Sequence, residues 1–200
     1  MNFFLILIST IIVNNAVLIK SEGLCPMIGT SGSGRTSLAM SVVVLFTTLL
    51  SQAAIWPIHY FVLDPMQLHY LDAFTAVLVI ACLVQLADLI MERFAPITRK
   101  ALGIYLPLTA ANCAILSVCT ENLTAQRSFW VSMTYALGTG LSFAFAMFLF
   151  SCIRMKLKYS DIPESFRGPA SSMVAAAILA MIFMCFSGLT EGLFGMGTYA

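Results

Sequence analysis

Cys25 and Cys113 are the residues of this chain best placed to do chemistry. They lie in Gly23-Leu24-Cys25-Pro26 and Ala111-Asn112-Cys113-Ala114, each beside polar residues that interrupt an apolar run. A deprotonated cysteine is a soft donor suited to iron–sulfur clusters, and two thiolates are half of the four ligands such a cluster takes. The other half would have to come from another chain. Cysteine type alone does not make this case. The chain has Cys82, Cys119, Cys152 and Cys185 as well, and a cysteine in a membrane helix is ordinarily a small, polarizable packing residue. Most of the six lie in or at the ends of apolar runs, which argues against an extracellular disulfide framework.

The interruptions themselves are informative. Asn14 and Asn15 fall near the end of the first apolar run, and Asn112 near the end of the fourth, five residues after Pro107. A buried amide without a partner is costly in an apolar medium, and proline removes a backbone donor. Both runs therefore read as broken helices whose breaks face the protein interior and each other. If the fourth helix enters at Ala101, Cys113 lies about 18 Å in, near the membrane middle. Cys25 reaches that depth only if the chain breaks near Asn14-Asn15 and the run from Ala16 to Gly29 dips back into the membrane. A continuous first helix ending at Lys20 would leave Cys25 at the surface. Asn14, Asn15 and Asn112 are the expected supporting polar residues.

Three other groups invite a functional reading. Asp88, near the end of the third span with Gln85 and Glu92 a turn to either side, is the candidate for an ion pathway. Arg93 nearby lets it snorkel instead. His59 and His69 have only Asp64 and Asp72 as neighbours and read as interfacial residues. Gly29 to Thr36 nearly fits a phosphate-binding loop, but Arg35 stands in place of the lysine and no α/β core strand precedes it. It reads as a flexible cytoplasmic loop whose Arg35 anchors the next helix at the interface.

The elements that must position these residues follow from composition. The 200-residue chain is 60% hydrophobic and 10% charged, with a mean hydropathy of +0.95, beyond what a water-facing surface tolerates. Runs long enough to span a bilayer fall at roughly 2–20, 37–62, 71–91, 101–119, 128–152 and 169–189. Gly29–Gly34, Asp64-Pro65, Pro96 with Arg99-Lys100, Glu121-Asn122 and Lys156–Gly168 mark the loops. The expected fold is thus all-α, an integral membrane protein of six transmembrane helices in a single domain over 1–200. Ten basic and nine acidic residues leave no basic stripe for nucleic acid.

Lys and Arg resist translocation and so report orientation. Lys20, Arg35, Arg93, Arg99, Lys100, Arg154, Lys156, Lys158 and Arg167 fall in alternate loops on one side, against Arg127 alone on the other. Those nine are expected in the cytoplasm, with both termini outside. The N-terminus lacks a basic n-region and a cleavage site, so the first span is expected to be retained. Asn14-Asn15-Ala16-Val17-Leu18 matches Asn112-Cys113-Ala114-Ile115-Leu116 at an offset of 98 residues. Three spans per half then give two inverted-topology repeats, about 1–95 and 100–190, with broken first and fourth helices.

Several stretches together resemble a known family. They are Val13-Asn14-Asn15 through Gly23-Leu24-Cys25-Pro26, Val84-Gln85, Leu102-Gly103-Ile104-Tyr105-Leu106-Pro107-Leu108, Asn112-Cys113-Ala114, Tyr159-Ser160-Asp161-Ile162-Pro163, Phe166-Arg167-Gly168 and Phe186-Ser187-Gly188-Leu189. In this order they resemble the A-type membrane subunits of the Rnf electron-transport family. More distantly they are similar to the E-type subunits of sodium-pumping NADH:quinone reductase. The resemblance implies a six-helix plasma-membrane subunit packed against a homologous RnfE-like subunit of opposite topology, with RnfB-, RnfC-, RnfD- and RnfG-like subunits in the same complex. It also implies a [2Fe-2S] cluster shared by the pair, for which the matching positions here are Cys25 and Cys113. The family passes electrons between ferredoxin and NAD and couples this to sodium or proton movement. This chain departs from the pattern at Cys119, at Ser117 where a glycine is expected, at Asp88 where glutamate is usual, and beyond Leu189.

A secondary transporter or channel-like subunit without a redox cofactor would make inverted repeats and midplane asparagines equally natural. It would not need two thiols at the breaks. The charge bias makes a direct prediction: a reporter fused at the C-terminus should behave as periplasmic, and one inserted between Lys156 and Lys158 as cytoplasmic. The reverse pattern would overturn the assigned orientation.

Overall fold

The structure is a computed structural model and describes residues 7, 10–11, 15–32, 34–63, 71–94, 112–159 and 168–194. Seven α-helices and no strand occur among them: α1 (Ala16–Ile19), α2 (Leu24–Thr30), α3 (Gly34–Ile58), α4 (Asp72–Phe94), α5 (Cys113–Thr124), α6 (Phe129–Leu157) and α7 (Pro169–Phe194). Four of these match the apolar runs, since an apolar stretch without internal caps has nothing to stop it. α6 and α7 run five residues beyond the expected 152 and 189. Helices over Thr36–Phe61 and Phe129–Leu157 are long and apolar enough to cross a bilayer.

α3 and α6 form the central antiparallel pair. Two bonds fix its register, Ser37 Oγ to the Met147 carbonyl at 3.4 Å and Trp56 Nε1 to the Arg127 carbonyl at 3.3 Å. Between them Gly140 allows close approach, because a Cβ there would stand 3.1 Å from Leu45 Cα. The seam is rich in hydroxyls, most of which stay within their own helix. Ser41, Thr48 and Thr139 donate to the carbonyls of Ser37, Val44 and Tyr135, which lets small polar residues sit in an apolar interior. Met40, Val44, Phe143, Met147 and Phe150 fill the rest of the seam.

α3 contains Pro57 and continues as a π-type turn over His59–Leu63, the usual consequence of a disturbed hydrogen-bond ladder. His59 Nε2 lies 3.6 Å from Asp72 Oδ2 at the start of α4, closing the α3–α4 hairpin. His69 and Asp64 lie outside the described residues. Large apolar side chains cover the outside of the bundle, among them Leu38, Val42 and Phe46 on α3 and Val174, Ile178 and Met181 on α7. Such rows are incompatible with water and suit lipid or a membrane partner.

Three expectations change. Glu121 and Asn122 are not a loop but the last turns of α5, and the turn follows at Ala125–Ser128 with Gln126 at φ 46°. The reason is tertiary. Asn122 Nδ2 donates to Gln52 Oε1 at 3.1 Å, and its Oδ1 accepts from Arg127 Nη1 at 2.9 Å, so the amide that reads as a loop signal is held inside the bundle. Gly29–Thr36 is not one continuous loop either, because α2 runs through Thr30, Thr30 and Ser31 are buried and α3 begins at Gly34. Lys20 is the third. It pairs with Glu121 at 2.8 Å, and Glu121 lies 3.9 Å from Arg127. Lys20 thus belongs to the end of the bundle that carries Arg127, whereas Arg93, Arg154, Lys156 and Lys158 lie at the other. The nine-to-one charge division therefore does not hold for Lys20; Arg99, Lys100 and Arg167 lie outside the described residues.

The Gly140 contact predicts that Gly140→Val forces α3 and α6 apart, at a cost of about 1–3 kcal/mol for overpacking. Thermal unfolding of the purified protein should show a lowered midpoint, whereas Gly32→Ala, which meets nothing within 4 Å, should leave it unmoved.

Candidate functional site

The site is built where two helices start inside the bundle. A helix start leaves backbone N–H groups without partners, and in an apolar surrounding a side-chain oxygen must take them. Asn15 does this for α1: its Oδ1 accepts from the amides of Val17 at 3.2 Å and Leu18 at 3.3 Å. Asn112 does it for α5, where its Oδ1 accepts from Ala114 at 3.1 Å. Both asparagines are buried. The two caps are Asn15 and Asn112, whereas the sequence match expected from an inverted repeat pairs Asn14 with Asn112. Asn14, Pro107 and Ala101 lie outside the described residues.

Between α1 and α2 the chain turns through Ser21 at φ 56° and Gly23 at φ 79°. This turn runs antiparallel to α5 and meets it once per helical turn. Lys20 Nζ bonds Glu121, Ser117 Oγ donates to Glu22 Oε1 at 2.8 Å, and the Gly23 amide donates to Cys113 Sγ at 3.2 Å. Cys113, Ser117 and Glu121 are spaced by four residues and so share one face of α5. Gly23 is required at its place for two reasons. Its backbone is left-handed, and a Cβ would stand 3.0 Å from Asn112 Oδ1 and 3.2 Å from Phe143. Phe143 is the central residue of α6, which puts this junction halfway along the bundle.

Cys25 follows two residues after Gly23, within about 7 Å of chain, in the first turn of α2. The other end of α2 is anchored by Arg154, whose Nη1 donates to the Ile28 carbonyl at 2.7 Å and to Ser31 Oγ at 2.8 Å. Cys25 and Cys113 are thus brought to one junction, and both are exposed on the surface of the single chain. Cys119 is buried on the opposite side of α5. Cys82, Cys152 and Cys185 sit on α4, α6 and α7. Asp88 lies half-buried on α4 towards Arg93, at the end of the bundle away from Lys20. Among the described residues no three His, Cys, Asp or Glu side chains converge as a metal-holding group. At the junction the chain offers two thiols open to its surface; Cys82 and Cys185 are exposed too, on α4 and α7 away from it.

Glu22 and Lys20 were missed as neighbours of the site. The signal for them was the i, i+4, i+8 row of Cys113, Ser117 and Glu121, but its partners lie more than ninety positions away in sequence.

The chain matches the Rnf-Nqr subunit family of membrane proteins over residues 3–190. It is 38% identical over 191 residues to a protein of Syntrophotalea carbinolica named as the A component of an ion-translocating oxidoreductase complex, covering 96% of this chain and 99% of that one. Proteins of the same name from Edwardsiella ictaluri and Alkalilimnicola ehrlichii are 36% and 39% identical, covering 95% and 94% of this chain and 98% and 97% of their own.

The junction makes a geometric prediction. A short bifunctional thiol reagent applied to the purified chain should join Cys25 to Cys113 within one polypeptide, while Cys119 stays unmodified until unfolding. Peptide mass spectrometry reads the result. Single labels on both thiols without the cross-link would contradict the junction.

Proposed function

This chain belongs to the Rnf-Nqr family of membrane-protein subunits, and we propose that it is the A-type subunit of an Rnf-type ion-translocating ferredoxin:NAD oxidoreductase. In this reading it has no active site of its own. It relays electrons across the membrane, with Cys25 and Cys113 as its two ligands to a [2Fe-2S] cluster whose remaining ligands come from a homologous membrane subunit of opposite topology. The observation that carries the reading is the Gly23–Cys113 contact, which ties the Cys25 turn to the start of α5 at the middle of the bundle.

The residues present fit such a group. Both thiols are open to the surface, as ligands shared with a second chain must be. A backbone amide already points at one sulfur, the kind of hydrogen bond that stabilises thiolate and tunes cluster potential. When bound, the cluster supplies a one-electron relay at the depth of Phe143. The chain's own residues do the positioning. Asn15 and Asn112 start the helices that flank the junction, Gly23 lets the turn approach, and Arg154 holds the far end of α2. Two asparagine caps opening facing segments also support two inverted repeats of three spans each. Coupling to sodium or proton movement, and any part of Asp88 in it, belong to the same proposal.

Replacing Cys113 by serine removes the soft donor while preserving size. Iron content of the assembled complex should fall and electron flow between ferredoxin and NAD should stop, and Cys25→Ser should do the same. Cys82→Ser, Cys152→Ser and Cys185→Ser should leave both near wild type. An assembled Cys113→Ser complex with full iron and turnover would sink the proposal and leave a transporter without redox cofactor as the reading to pursue.

A further inference from the structure

The two cap asparagines differ in one respect. Asn15 uses both ends of its amide, since Oδ1 caps α1 and Nδ2 donates to the Ile11 carbonyl at 3.4 Å. Asn112 uses only one. Its Oδ1 caps α5, while its Nδ2 is buried and has no hydrogen-bond partner among the described residues. The residue is 2% exposed, so water does not stand in for the missing acceptor. A buried unpaired N–H donor is costly, and a cap alone does not require it. Aspartate would cap α5 through an oxygen and carries no donor, and the hydroxyl of serine or threonine can rotate its single O–H towards a nearby carbonyl.

The position of this amide indicates what it awaits. Asn112 precedes Cys113 directly, and its Oδ1 stands 3.0 Å from where a Gly23 Cβ would be. The side chain is therefore wedged between the α5 start that carries Cys113 and the turn that leads to Cys25. The Gly23 amide on the same turn already donates to Cys113 Sγ.

We propose that the Asn112 side-chain N–H is a preorganised hydrogen-bond donor to the Sγ of Cys25 or Cys113 when these thiolates hold their group, and that with the Gly23 amide it sets that group's reduction potential. This rests on the cysteine assignment made above. One-electron reduction adds negative charge to the sulfurs, and a fixed N–H donor stabilises the reduced form more than the oxidised one. Asn112 is then a positioning and tuning residue that makes no bond to iron. The donor is fixed by the cap, because Oδ1 is committed to Ala114 and the amide cannot turn away.

The experiment is a redox titration, followed by electron paramagnetic resonance, of the membrane complex carrying Asn112→Ser or Asn112→Asp. Both substitutions keep an oxygen to cap α5 and both remove the amide donor. Iron content should stay at the wild-type level in both, with the midpoint potential shifted to more negative values. The serine variant separates the lost donor from the added charge of aspartate. Wild-type potential in both variants would overturn this inference alone. Loss of iron in both would overturn it too, since Asn112 would then be a structural cap only. A wild-type complex with no signal from this site would overturn the cysteine assignment and the inference with it.

Discussion

A helix that starts in the middle of an apolar bundle must find acceptors for its first amides, and everything at the centre of this chain depends on how that is met. Water is absent and neighbouring helices present only side chains, so the capping group has to be carried by the chain itself. Asn15 and Asn112 carry it. The cost of starting a helix inside the bundle is met locally, and such a start places turns and thiols at a depth where the middle of a helix would offer only its apolar flank.

The packing around these caps follows from the same constraint. Gly23 must be glycine because Asn112 and Phe143 occupy the space a side chain would need. The turn from Lys20 to Gly23 is polar, and it lies against α5 only because α5 presents Ser117 and Glu121 on the face that starts with Cys113. At the far end the guanidinium of Arg154 satisfies carbonyl and hydroxyl groups around the end of α2, where a seven-residue helix has too few internal bonds to hold itself. Cys25 is thus located by contacts at both ends of its segment and not by the intrinsic stability of α2.

Much of this was legible in the residues. Apolar length alone placed α3, α4, α6 and α7 to within a few residues, because a bilayer-length run without caps leaves few alternatives. The asparagines and Cys113 marked a helix start because their chemistry is costly anywhere else in such a run. The rest depended on partners distant in sequence. Nothing near Lys20 shows that its ammonium meets Glu121, so counting basic residues by loop put it at the wrong end. Glu121-Asn122 reads as a loop until Gln52 and Arg127 are seen to satisfy the amide. That Asn15 is the cap of α1 appears only in its hydrogen bonds, since either asparagine of the pair could have served by residue type.

In the proposed function Cys25 and Cys113 act together as one half of a metal site at the midpoint of the bundle. The most direct measurement is electron paramagnetic resonance, with iron quantification, of this protein purified with the proposed homologous membrane partner alone and reduced chemically. Bound iron and a paramagnetic iron–sulfur signal are expected in that pair, free of any other redox subunit. A pair that is folded and able to rejoin an active complex, yet holds no iron and gives no signal, would contradict it.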